Sequence, residues 1–359
     1  MKPKERVDAA IRHIDTDRVP IDYFARAEVS QALVKLLRLP PGQRLDERLG
    51  CDIRGVGPSF KKPAADLAYA DPTIRVDPGD IYRDIWGVGF KPNQTATGFY
   101  MDLSDYPLRG IQTMDEIESH PWPTADMWDY STIADQARSV SDYWVWAHSR
   151  GIFEISWFIR GFDEFLEDMA VRPERANAVM DRVQAYLMDR TERILQAGDG
   201  LIDMMEYNDD VGGQYGLLMS PAMWRQFIKP RMARFIAMCR EYGVRIRFHC
   251  CGGCRPIIND LIEIGVDVLN PVQTVADGME PEGLKRDFGD RITFNGGIDT
   301  QQLLPYATED EVRAETRRLI DILGRDGGYI LAPAHNFQAD VPLRNIVAVY
   351  ETALGEKLV

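Results

Sequence analysis

Apolar and polar residues alternate most regularly at 244–249, where Val244, Ile246 and Phe248 are separated by Arg245 and Arg247. That period of two is the pattern of a strand with one buried face. Seven further short apolar runs begin near residues 18, 52, 143, 201, 266, 291 and 329. In the last third they alternate with helical stretches. The strand at 244–249 precedes a helix at 256–264, with Pro256 in its first turn and Gly265 past its end. The run at 266–270 precedes a helix at 281–288, stopped by Gly289. The run at 291–295 precedes a helix opened by Thr308-Glu-Asp-Glu311, a capping box, and ended by Gly324. The run at 329–333 precedes a final helix at 342–354. Strands spaced by helices imply parallel pairing with helical crossovers.

The first half carries the same rhythm less evenly. Helical patterns at 3–13 and 31–37 flank strand candidates at 18–24 and 51–56. Strands at 143–147 and 201–206 bracket a long helix from Pro173 towards Gly198, and 221–242 reads as one helix kinked at Pro230. Eight strand–helix units predict an α/β fold, a (β/α)8 TIM barrel spanning 1–359 as one domain. No Gly-x-Gly-x-x-Gly follows the first strand, which argues against a dinucleotide-binding fold. From about 61 to 130 the rhythm fails. The stretches 82–90 and 98–103 are expected to pair as a hairpin around Asn93, inside an insertion that is a lid, a surface excursion or an oligomer contact.

A net charge of −14, from 42 basic and 56 acidic residues, disfavours nucleic acid or an anionic membrane as partner. No apolar run approaches the roughly 20 residues of a membrane span. The N-terminus has no apolar signal core, and five cysteines, three of them within five positions, do not form a secreted disulfide framework. A cytoplasmic enzyme acting on a small molecule is expected.

A barrel places active-site groups just past the C-terminal ends of its strands. Here those ends deliver Glu206, Asn208, Asp209 and Asp210; then His249 and Cys251; then Asn270 and Gln273; then Asn295 and Asp299; and last His335 and Asn336. Imidazole and thiolate are preferred zinc ligands. His249 and Cys251 share a face if the strand runs on. Cys251 and Cys254 form a competing pair across Gly252-Gly253. His335, beside a second strand-end His and a Cys, reads as a further ligand. Cys239 and Cys250 read as buried apolar residues, Trp122, Trp144, Trp146 and Trp224 as packing, and His13, His120 and His148 receive no role.

At these residues the chain resembles the uroporphyrinogen decarboxylase superfamily. The matching stretches are Glu5-Arg6-Val7, Asp17-Arg18-Val19-Pro20, Ser220-Pro221, Phe227-Ile228-Lys229-Pro230, His249-x-Cys251-Gly252, Gly265-Val266-Asp267, Asn270-Pro271, Gly296-Gly297-Ile298-Asp299 and Gly327-Gly328-Tyr329. The resemblance implies a (β/α)8 barrel, often a homodimer, and one of two chemistries. True decarboxylases use no metal and hold their substrate's carboxylates with the arginines of an Arg-Gln-Ala-Gly-Arg motif. Here the stretch is Tyr23-Phe-Ala-Arg26-Ala-Glu28, with one arginine retained, and a clamp without its guanidinium pair binds several carboxylates poorly.

The other branch, the cobalamin-dependent methyltransferases, carries zinc on a His-x-Cys pair plus a cysteine after the last strand. His249 and Cys251 match the pair, and His335 stands at the third position. The methyltransferase-like branch implies zinc on His249, Cys251 and His335, with the fourth position open or held by Glu206 in the resting state. Asp210, Asn208 and Asn270 then orient substrate for catalysis, and Glu206, Gln273, Asn295, Asp299 and Asn336 contact it. A corrinoid, methylcobalamin, is the implied co-substrate. The chain lacks a corrinoid-binding Asp-x-His-x-x-Gly sequence, so the corrinoid is expected free or on a separate protein. The alternatives are a metal-independent decarboxylase, using His335 or Asp210 as proton donor, and a binding barrel without catalysis.

Overall fold

In the computed structural model, which describes residues 1–61, 81–95 and 98–359, seven parallel strands form one curved sheet. In chain order they are β1 (Ile53–Gly55), β2 (Trp144–Arg150), β3 (Met204–Asn208), β4 (Arg245–His249), β5 (Val268–Val272), β6 (Thr293–Ile298) and β7 (Tyr329–Pro333). Each lies beside its predecessor, as in a barrel built of successive strand–helix units.

The ring is closed by the segment around Ile21. Leu331 N donates to Pro20 O at 2.8 Å and Asp22 N to Leu331 O at 2.9 Å, while on the other side Asp52 N donates to Ile21 O at 2.8 Å. The expected strand at 18–24 is thus reduced to isolated bridges at Ile21 and Ala25. Pro20 has no N–H to give to a ladder. The (β/α)8 plan holds, with its first stave shortened.

Several boundaries shift by two or three residues towards the C-terminus. β3, β5 and β6 begin at Met204, Val268 and Thr293, because Leu201-Ile202 and Val266 precede the ladder. Asn270 and Asn295 consequently lie within strands rather than beyond them. The helix expected at 221–242 is two helices, Pro221–Phe227 and Lys229–Glu241, with Pro230 in the first turn of the second. Thr308 forms its capping box with Glu311 as expected. In the insertion Gly89–Thr95 pairs antiparallel with Gly98–Asp105, and Tyr82–Arg83 adds a third strand. Asn93 sits inside this ladder opposite Tyr100, not at its turn. Residues 62–80 and 96–97, part of that expectation, lie outside the described residues.

The strand starts are sealed from below. Val7 and Ile11 of the N-terminal helix Pro3–Ile11 pack with Ile53, Trp144, Met204, Val268 and Ile330 in a distinct apolar cluster. Each such buried side chain contributes roughly 1.5–3 kcal/mol. The lower mouth is therefore closed, and chemistry is left to the upper one. Among the described residues no helix is long and apolar enough to cross a membrane.

Candidate active site

At the C-terminal mouth the strands enclose a cavity of about 440 Å³, bounded by Phe24, Trp146, His148, Arg150, Glu154, Glu206, Asn208, Asp210, His249, Cys251, Asn270, Pro271, Pro333, His335 and Asn336. Three donor atoms, one each from Asp210, His249 and Cys251, lie within 4.8 Å of one another. His249 Nε2 is 3.5 Å from Cys251 Sγ. Cys251 N donates to Asp210 Oδ1 at 2.7 Å, so the loops after β3 and β4 are joined at the cluster itself.

The tautomer of His249 is set by a chain of amides. Asn295 Nδ2 donates to Ile330 O at 3.2 Å, and Asn270 Nδ2 donates to Asn295 Oδ1 at 2.7 Å. That leaves Asn270 Oδ1 as acceptor, 2.7 Å from His249 Nδ1, which must carry the proton. Nε2 is then the lone-pair nitrogen, and it is the one facing Cys251. A hydrogen-bonded second ring nitrogen is the usual support of a metal-binding histidine.

Loop geometry brings the thiol in. Gly252 has φ +91°, and a Cβ there would lie 2.6 Å from Gly213 O; Gly253 N donates to that same oxygen at 2.8 Å. Gln273 Oε1 accepts from Gly252 N at 2.8 Å. Of the three clustered cysteines Cys251 reaches the cavity, whereas Cys250 and Cys254 are fully buried and all are free thiols. The Cys251–Cys254 pairing is therefore not formed.

The donor set fits zinc. Nitrogen, sulfur and carboxylate oxygen are its common ligands. Burial pushes the Cys251 thiol well above its ordinary range, and the neighbouring Asp210 and Glu154 carboxylates push further. A cation among these groups reverses that balance, since a coordinating thiol is deprotonated. His335 lines the same cavity but is not a member of the 4.8 Å group, whose third donor is Asp210.

Beneath the cavity stands Arg247, fully buried. Its Nη1 is 3.0 Å from Asp22 Oδ2, its Nε is 2.7 Å from Glu206 Oε2, and its guanidinium lies 4.2 Å from the Trp146 ring centroid. Burial opposes ionisation of Glu206, but Arg247, His249 and His148 outweigh it and hold the carboxyl below its ordinary range. His148 Nε2 is 3.7 Å from Glu206 Oε1. Although 42% of its side chain faces cavity space, its deep position pushes His148 down to about 4, so the ring is neutral near pH 7. Arg150 Nη2 donates to Glu154 Oε2 at 2.6 Å.

Of the expected site residues, Glu206, Asn208, Asp210, His249, Cys251, Asn270, His335 and Asn336 converge on the cavity. Three do not line it. Gln273 fixes the Cys251 loop, and Asn295 lies one layer below in the amide chain. Asp299 accepts from the N–H groups of Gln301, Gln302 and Leu303, capping a short helix. Asp209 likewise receives N–H groups from Phe153 and Glu154, at 3.1 and 2.8 Å. The sequence reading missed His148, Arg150 and Glu154, because β2 runs to Arg150 where the apolar run stops at Ala147. His148 then stands two residues before the end of β2, the position that would have flagged it.

A polar cavity at the upper mouth of a (β/α)8 cylinder, sealed below, is the architecture of barrel enzymes. The family described as uroporphyrinogen decarboxylase (URO-D) matches residues 145–354, more than half of the chain, and the chain belongs to that family. It is 30% identical over 133 residues to the methylcobamide:CoM methyltransferase MtaA of Methanosarcina barkeri, a match covering 37% of this chain and 36% of the relative. It is 27% identical over 175 residues to the uroporphyrinogen decarboxylase of Thermus thermophilus, covering 48% of each. These matches span half or less of the curated relatives. A solved methyltransferase from Methanosarcina mazei superposes with a TM-score of 0.69 over 99% of both chains at 17% identity, which shows the shared fold.

Proposed function

We propose that this protein is a zinc-dependent methyltransferase that moves a methyl group between a corrinoid and a small thiol, ether or amine. The observation that carries this reading is the convergence of Asp210, His249 and Cys251, with His249 held by Asn270 so that Nε2 faces the thiol. Zinc bound by these three residues would supply a Lewis acid that stabilises a substrate thiolate or polarises a methylated heteroatom. The family's two kinds of relative, a methylcobamide-dependent methyltransferase and a decarboxylase, frame the choice.

The chain's own residues have distinct tasks. Asn270 and Asn295 hold the His249 ring, and Gln273 with Gly252 holds Cys251. Glu206, kept ionised over Arg247, faces His148 and gives the cavity floor a negative charge. His148, neutral near pH 7, offers its ring as a hydrogen-bond partner to a substrate beside Glu206. Asn208 and Asn336 present amides for orientation, and Phe24 and Trp146 form an apolar wall that keeps water from a methyl group. The open upper mouth receives the corrinoid, free or on a partner protein.

A metal-independent decarboxylase is the second reading, supported by a decarboxylase relative matching over a longer stretch. The cavity's charges favour the first. Of the three carboxyl groups in its wall, Glu154 is paired with Arg150 and Glu206 with the underlying Arg247, so the one arginine of the lining is already engaged. A wall whose guanidinium is taken up by its own acid offers a polycarboxylate substrate no clamp. Metal analysis tests the proposal: wild type should hold near-stoichiometric zinc, and Cys251→Ser and Asp210→Asn should lose it. Zinc-loaded wild type should also demethylate methylcobalamin in the presence of a thiol, read from the corrinoid's visible spectrum. A wild-type protein that refuses zinc on titration ends the proposal.

A further inference from the structure

We propose that a second cavity beside the first is a binding site for a small aromatic carboxylate, with Arg190 as the anion's partner. This cavity, of about 280 Å³, shares His148 and Arg150 with the first. It is smaller than the roughly 300–1,000 Å³ of pockets for drug-sized ligands, and suits a single substituted ring.

Its walls are aromatic and rigidly tied. The Trp86 and Tyr186 rings meet edge to face, with centroids 4.9 Å apart, and Trp128 Nε1 donates to the Tyr186 hydroxyl at 2.7 Å. Trp86 comes from the inserted segment and Tyr186 from the long helix Pro173–Ala197, so the frame exists only where insertion and barrel meet. Aromatic walls of this kind accept a flat ring by offset or edge contacts.

Arg190, one turn after Tyr186, supplies the charge. Its guanidinium lies 4.7 Å from the Trp128 ring centroid, and Nη1 donates to His148 O at 3.1 Å. Two arginines of the same helix have acid partners, Arg182 with Glu118 and Arg193 with Asp126 and Asp189. Arg190, among the described residues, has none within ion-pair distance. A guanidinium carries five N–H donors in a planar fork that matches a carboxylate. An inward cation without an anion is costly, and a bound carboxylate removes that cost. Asp84 also lines the cavity, but its Oδ1 already accepts from the N–H groups of Trp86 and Val88.

This inference rests on the methyltransferase reading only for the ligand's far end, a methylated heteroatom that would enter the first cavity past His148 and Arg150. Binding is tested separately from zinc. Isothermal titration with 3-methoxybenzoate should give saturable binding to wild type and equally to zinc-free Cys251→Ser. Arg190→Gln should bind it at least tenfold more weakly. The neutral 3-methoxybenzamide should bind wild type at least tenfold more weakly than the acid, and be indifferent to Arg190→Gln. Absent binding of the acid to wild type, or equal affinity for acid and amide, overturns the proposal. If Arg190→Gln does not fold, acid against amide on wild type decides. Acid binding that persists where zinc fails to bind leaves this site standing and removes the metal reading alone.

Discussion

Asn270 Oδ1 lies 2.7 Å from His249 Nδ1, and the same amide's nitrogen lies 2.7 Å from Asn295 Oδ1. One buried side chain therefore sets both the tautomer and the direction of the imidazole. Replacing Asn270 by Leu removes the acceptor of His249 Nδ1–H and leaves Asn295 Oδ1 with Arg247 Nη1, at 3.5 Å, as its donor. Zinc affinity should fall by about 10–100-fold, the usual effect of losing such a support. Stability should fall by about 1–3 kcal/mol for the imidazole N–H left without its acceptor. Competition with a chromophoric chelator measures the first and thermal unfolding the second; unchanged zinc affinity would refute the assignment.

Gly252 separates loop placement from ligand chemistry. Its φ of +91° costs an L side chain about 1–2 kcal/mol, and a Cβ would collide with Gly213 backbone atoms at 2.6–2.7 Å. Gly252→Ala should push Cys251 away from Asp210 and weaken zinc binding at least as much as Asn270→Leu. The barrel itself should still melt cooperatively, as circular dichroism would show.

Arg247 is the buried counterion of Asp22 and Glu206. Arg247→Met preserves bulk but strands two interior carboxylates, and breaking such a pair from one side costs about 3–5 kcal/mol. With an unfolding entropy of about 2.1 cal/mol/K per residue, each kcal/mol is worth roughly 1.3 °C in a chain this long, so the melting temperature should fall by about 4–7 °C. Adding Asp22→Asn should recover part of the loss. A single substitution without effect on melting would show that Arg247 is not the electrostatic support described.

Asp209 makes stability depend on pH. Burial raises its carboxyl from an ordinary 3.8 to about 8, against the opposing N–H groups of Glu154 and Phe153. The folded protein thus holds this proton more tightly than the unfolded chain. The group's contribution to stability is complete below about 3.8 and is lost as pH rises through about 8. Melting curves from pH 5 to 9 should show wild type losing stability relative to Asp209→Asn, and parallel curves would contradict the shift.

Much of this was legible in sequence because two local signals coincide. Apolar runs mark the staves, and the polar residues at the ends of β3, β4 and β7 mark the mouth, where Asp210, His249, Cys251 and His335 line the cavity. What the chain's order hides is depth. Whether Asn295 touches a ligand or supports Asn270, and whether Asp299 faces substrate or caps a helix, depends on where a ladder begins to within two residues. Partner choice is hidden too. Asp210 and Cys251 meet because the Cys251 N–H donates to the Asp210 carboxylate across adjacent loops, a contact no spacing encodes. His148 escaped notice because β2 continues past its apolar residues.

The narrow stave at Ile21 bears on how the molecule is made. It is held between Asp52 on one flank and Leu331 on the other, partners drawn from opposite ends of the sequence. A nascent chain still emerging from a ribosome can curl β1 through β6 beside one another, yet its first segment has no second neighbour until β7 has been synthesised. The cylinder can thus lock only late, and its edge stays open to chaperones or to strand exchange for most of translation.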